Sequence, residues 1–101
     1  MKLIMSTCPE AEADKLAERL LEKRLVACVN IIPGVMSKYW WKGKIEADKE
    51  SILLMKTTPS LVNEVIENVR TLHSYEVPEV IVVDIETGNP EYLAWIGEVT
   101  G

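Results

Sequence analysis

The chain has no phenylalanine, one histidine, two cysteines, and five each of glycine and proline among 101 residues. Each scarcity excludes something. Two cysteines, Cys8 and Cys28, cannot build a disulfide framework, and a reducing compartment leaves them as thiols. So little Gly and Pro excludes the fibrous and disordered classes. No apolar run approaches the roughly 18 residues that span a membrane. The opening MKLIMSTCPE has too short an apolar stretch for a secretory leader, so the expected location is the cytoplasm. Basic residues are in deficit, 11 against 16 acidic, for a net charge of -5. Nucleic-acid and anionic-membrane binding need the opposite balance, and neither partner is expected. No Walker loop, nucleophile elbow or dinucleotide fingerprint occurs, and no nucleophile–base pair can be read. The chain is therefore not expected to be an enzyme or to carry an organic cofactor.

What is present is a hydrophobic fraction of 48%, ample for a core, on a length that fits one domain over residues 1–101. Three junctions share one grammar: STCPE at 6–10, KTTPS at 56–60 and TGNPE at 87–91. Each follows an apolar run and places Pro where a helix would begin, a position at which the missing N–H has no partner to lose. Thr7, Thr58 and Asn89 are the natural N-caps or near-caps. Ala13, Leu16, Ala17, Leu20 and Leu21 recur at helical spacing behind the first junction. Leu61, Val62, Val65, Ile66, Val69 and Leu72 do so behind the second, and Tyr92, Leu93, Trp95, Ile96 and Val99 behind the third. The spacing predicts helices over about 9–24, 59–72 and 90–99. Between them lie the strands KLIMS, LVACVNII continuing through a Pro33-Gly34 bulge into VMSKYWW, IEADKESILLMKT after a turn at Gly43, and EVIVVDIET. The order β-α-β-β-α-β gives an α+β, ferredoxin-like sandwich with an extra C-terminal helix and a long hairpin between the second and third strands.

Two features point to self-association. LIM, ILLM and VIVV are continuous apolar runs, which mean covered faces on both sides of a sheet, and two helices can cover only one. The third strand runs without Pro or Gly from Ile45 to Thr57, roughly 43 Å at about 3.3 Å per residue. That exceeds the roughly 33 Å diameter of a compact chain of this size, so the hairpin must project unless the strand bends early. Its tip, SKYWWKGKIE at 37–46, holds half of the six aromatics. Alternation sends Tyr39 and Trp41 to one face and Trp40 to the other. All three are read as anchors of a subunit interface.

Chemistry-bearing residues are sparse. His73 complements the end of a helix or, alternatively, ligates a metal or gives up a proton beside Tyr75, Glu76 and Glu79. Cys28 packs as a small hydrophobe. Cys8, beside a helix N-terminus, is a candidate for a lowered thiol pKa. Glu46, Asp48 and Glu50 alternate on one face, either solvated or attracting hard cations weakly. Lys56 caps a helix or binds an anion.

The stretches RLVACVNIIPGVMSKYWWKGKIE, LLMKTTPS and LHSYEVPEVIVVDIETGNPEYLAWI, in this order and spacing, closely resemble the CutA divalent-cation tolerance family over nearly the whole chain. The resemblance implies a ferredoxin-like fold, a homotrimer with hairpins paired across subunits, and a cytoplasmic role in tolerance of metals, copper(II) above all or another divalent cation. It makes Cys28 and His73 the metal-ligand candidates and places Lys56, Tyr75 and Glu76 in an intersubunit cleft. The shared architecture of PII-type signalling proteins implies the alternative of a trimeric sensor for a small molecule or anion. The sequence departs from the family pattern at Ser74, where many members have Pro, and at Ser6, where some have Cys.

Overall fold

The computed structural model describes residues Met1–Gly101. The elements are β1 (Lys2–Pro9), α1 (Glu10–Glu22), β2 (Cys28–Trp41), β3 (Lys44–Thr57), a 3-10 turn (Pro59–Leu61) leading into α2 (Val62–Leu72), β4 (Val80–Asp84) and α3 (Pro90–Val99). The four strands form one antiparallel sheet in the order β2-β3-β1-β4. This is the α+β arrangement expected from the sequence.

The helix boundaries hold to within about two residues, the usual uncertainty of helix ends. The capping holds at two of the three junctions. Thr7 lies inside β1, and Pro9 holds the cap position of α1 with no side-chain bond. Thr58 stands at the N-cap of the 3-10 turn but makes no side-chain cap bond, and Asn89 caps α3, its side chain accepting from the Glu91 N–H at 3.2 Å. The second strand begins at Cys28 rather than Leu25. Helix α1 closes with Arg24 at φ 56°, bonded to the Leu21 carbonyl, while Leu25 bonds to that of Leu20. This Schellman closure uses up Leu25 before the chain can turn into the sheet.

One face of the sheet carries Ile4, Cys8, Leu53 and Met55, which pack against Ala13, Leu16 and Leu20 of α1 and Val65 and Val69 of α2 in the main core. Ser6 shares this face, and its hydroxyl is buried without a partner. The register puts Leu3, Met5, Ile32, Ile52, Leu54, Ile81 and Val83 on the other face, where none of them is fully buried. Helix α3 reaches only one end of that face, where Tyr92 Oη lies 3.4 Å from Cys28 Sγ.

The hairpin does project. β1 pairs with β3 only from Glu50 to Thr57. Beyond that, Val35–Trp41 and Lys44–Glu50 continue as a two-stranded arm, and the molecule measures 44 × 25 × 22 Å. Two backbone devices shape the arm. Lys42 and Gly43, both at positive φ (49° and 79°), form the tight two-residue turn that matches strand twist. At the other end, Pro33 and Gly34 oppose the single residue Ser51, because Ile32 pairs with Ile52 and Val35 with Glu50. Gly34 takes φ 74° there, and its N–H donates to the Glu10 carboxylate at the start of α1.

That bulge decides which way the aromatics point. Side chains alternate with period 2, so one extra residue inverts the pattern beyond it. Cys28, Asn30 and Ile32 share the open face with Val35, Ser37, Tyr39 and Trp41. Trp40 turns the other way, beside Ile45, which pairs with it directly. Trp40 is 72% exposed and Ile45 67%, and Met36 on the same side is 61% exposed.

Candidate functional site

Between the arm and the segment joining α2 to β4 lies a cleft of about 800 Å³, lined by Ser37 to Trp41, Thr7, Glu50 and Ser74 to Glu79. The segment on its far side is anchored by His73, which caps the end of α2. The imidazole Nε2 donates to the Thr7 carbonyl at 2.7 Å, and Nδ1 accepts from the Tyr75 N–H at 3.0 Å. Both ring nitrogens are thereby engaged in fastening the segment to β1. The Tyr75 ring packs on the imidazole with centroids 4.6 Å apart, and Ser74 donates to Glu12 of α1 at 2.7 Å.

Tyr75 then reaches the sheet, where its phenol donates to Glu50 Oε2 at 2.7 Å. Burial, then this bond and the Glu50 charge, push the phenol well above its usual range, which keeps it a donor. Glu50 is 3% exposed. Neighbouring Tyr39 donates to the Asp48 carboxylate and is pushed up to about 12, chiefly by that bond. The acidic row read from the sequence is thus divided: Glu46 and Asp48 are exposed, and Glu50 is buried. Nothing local in the sequence marks Glu50, because its donor lies 25 residues away.

The expected site residues do not all meet. Tyr75 and Glu76 line the cleft with Tyr39, Trp40 and Trp41. Lys56 does not. It lies six residues along β3 from Glu50, about 20 Å at the strand rise, and donates to Asn30 instead. Cys28 pairs with Lys56, whereas Thr7, which holds His73, pairs with Ile52. That offset of four residues along β3, about 13 Å, keeps Cys28 and His73 from sharing an ion within one chain. No group of three His, Cys, Asp or Glu side chains converges with metal-site geometry. One chain alone therefore does not fit a coordinated metal ion, which takes four to eight donors. Cys8 also departs from expectation: burial first, then Glu12 and Glu50, push its thiol up to about 11. Its side chain sits in the core, so the dipole of α1 does not offset desolvation. Ser6, on the same core face, is buried like Cys8, and neither lines the cleft.

The fold and the cleft define a ferredoxin-like α+β protein with a projecting hairpin arm and no helix long and apolar enough to cross a membrane. The family profile described as CutA1 divalent ion tolerance protein matches residues 2–99. A divalent-cation tolerance protein CutA from Thermus thermophilus is 45% identical over 101 residues, covering 99% of this chain and 98% of the relative. The mouse Protein CutA is 53% identical over 95 residues, 93% of this chain but 54% of that protein. The chain thus spans about half the length of the animal relative and nearly all of the bacterial one. Among solved structures, CutA from Xylella fastidiosa superposes with a TM-score of 0.96 at 44% identity, covering 99% and 97% of the two chains. A protein from Archaeoglobus fulgidus described as periplasmic divalent cation tolerance protein CutA gives 0.94 at 44%, with 98% of each chain covered. The chain belongs to the CutA1 family of divalent ion tolerance proteins. Its relatives are named for tolerance of ions and not for a catalysed reaction.

Proposed function

We propose that this chain acts as a homotrimer in cellular tolerance of divalent metal ions, with copper(II) the favoured ion, and that ions are held between copies. The projecting arm is the observation that carries the assembly. Trp40, Ile45 and Met36 stand exposed on one side of it, and an unpaired strand edge with apolar side chains is a surface that another chain covers. The open sheet face, with Ile32, Ile81 and Val83 exposed, adds a second such surface. The copy number follows the family resemblance. Sharing the ion between copies follows from the lack of a complete donor set in one chain. Cys28, half-buried at the end of the open face, is the soft donor with the easier access. His73 would have to exchange its bond to Thr7 for the ion.

A second reading, a PII-like sensor of a small molecule, is favoured by the cleft, whose volume suits a metabolite. Titration calorimetry of the assembled protein with copper(II), zinc and common metabolites separates the two. The metal reading expects saturable copper(II) binding that weakens in Cys28→Ser or His73→Ala. Binding unchanged in both variants removes the donor assignment. A metabolite that binds where no metal does favours the sensor.

A further inference from the structure

The helical layer carries a surface that neither the arm nor the open sheet face shares. Between α1 and α2 runs a groove of about 430 Å³, and none of its lining residues belongs to the sheet, the arm or the cleft. Lys15 and Arg19 stand along it on α1, one turn apart, about 6 Å at the helical rise. Leu16 is buried beneath them, and Ala11 and Leu72 give the groove apolar edges, Leu72 being 38% exposed. Lys23, one further turn along the same row, shows which way the row faces, for its ammonium donates to Asn68 of α2 at 2.7 Å. Lys15 and Arg19 have no such partner, the ion pairs of the chain being Lys2–Asp84 and Arg70–Glu67.

Charge says what the groove receives. Glu12 is the one carboxylate in the lining, and it already accepts from Ser74 at 2.7 Å. Two cations against one anion leave a positive excess, on a chain whose net charge is -5. The reversal is felt at contact range, because exposed charges are screened beyond roughly 8 Å at physiological ionic strength. Two carboxylates one helical turn apart match the spacing of Lys15 and Arg19, and residues i and i+4 of a helix present that pair on one face. A leucine three residues after the first carboxylate lies beside them on that helix and covers Leu16 and Leu72. A free small anion would leave those apolar groups in water. Nucleic acid would meet only two cations on an acidic protein.

We propose that the groove between α1 and α2 docks an acidic amphipathic helix of a partner protein, its paired carboxylates on Lys15 and Arg19 and its apolar side chain against Leu16 and Leu72. The surface lies on the helical layer, so it stays open when copies meet through the arm and the open sheet face. The test is fluorescence anisotropy of a labelled peptide of Glu-Ala-Ala-Leu repeats, titrated with the assembled full-length protein. Saturable binding is expected, at least tenfold tighter than for the matching Gln-Ala-Ala-Leu peptide. The double variant Lys15→Gln/Arg19→Gln touches only exposed side chains and should weaken it at least tenfold, while Lys44→Gln at the arm tip changes it less than twofold. Lys15→Glu/Arg19→Glu should instead prefer the Lys-Ala-Ala-Leu peptide, and Leu72→Ser should weaken the wild-type interaction at least threefold. No saturation below about a millimolar overturns the proposal. So does affinity unchanged in Lys15→Gln/Arg19→Gln, equal loss in Lys44→Gln, or complete competition by citrate at equal concentration, which would mark a site for free anions. A change in particle mass that needs Lys15 and Arg19 without peptide would assign the groove to a second copy and overturn it too.

Discussion

The body of the sheet and the arm that leaves it are built from the same two strands to opposite ends. In the body, β3 from Ser51 to Thr57 alternates buried and half-buried side chains beneath two helices, and Leu53, Met55, Val65 and Val69 are sealed from water. In the arm, β3 from Lys44 to Lys49 is exposed throughout, and its largest apolar groups face solvent. The body spends its apolar residues on its own fold. The arm holds its shape through a turn, a bulge and a backbone ladder, and keeps its apolar residues free for contact with something else.

The contrast breaks most visibly by truncating one large side chain in each region. Leu53→Ala should cost about 2–5 kcal/mol in urea unfolding, the usual range for opening a cavity in a packed core. Trp40→Ala should change a chain's own stability by no more than about 0.5 kcal/mol, as exposed positions do. It should nevertheless shift dissociation of the assembly to higher protein concentration on dilution, and earlier than it alters any metal affinity. Equal effects of the two substitutions on unfolding would erase the distinction.

The junction between the regions is next in size. Tyr75→Phe removes the one donor to a buried carboxylate, which should cost about 1–3 kcal/mol and speed amide exchange at Ser74 to Glu79. Gly34→Ala tests the bulge. A Cβ there would meet nothing closer than Glu10 Oε1 at 3.9 Å, so the cost is that of φ 74° alone, about 1–2 kcal/mol. A much larger loss would mean that the bulge shapes the core as well as the arm.

The smallest effect is one of pH. The Cys8 thiol has a folded-state pKa raised from 9.0 to about 11. A group with a raised pKa contributes fully below its unfolded value and is lost as pH climbs through the folded one. Thermal stability should therefore decline from about pH 9 towards 11, and Cys8→Ala should flatten that slope whatever it does to the absolute melting temperature. Tyr39, at about 12, extends the decline upward but belongs to the arm, so Tyr39→Phe should flatten only its last part.

The sequence revealed most where the physics is local. Helical stripes, the Pro33-Gly34 bulge and the Gly43 turn are read from neighbouring residues, and the length of β3 from the absence of breakers between Ile45 and Thr57. Alternation separated Tyr39 and Trp41 from Trp40, but could not say which face was which, since that depends on how the bulge joins the register of a distant strand. The site was harder still. Tyr75 and Glu76 were legible within one motif, yet Glu50 acquired its role from a phenol 25 residues away. Lys56, which the family resemblance assigns to a cleft between subunits, pairs with Cys28, the metal-ligand candidate, at the end of the sheet away from the cleft within one chain, a placement set by strand register. Cys8 followed its neighbours in sequence to a helix N-terminus and its neighbours in space into the core.

Whether the arm is an assembly surface is tested most directly by the mass of the particle in solution. Light scattering on the purified chain should give about three times the 11.4 kDa chain mass, with Trp40→Ala shifted towards smaller species on dilution. A stable particle of 11.4 kDa at micromolar concentration, with the arm intact, would contradict the account.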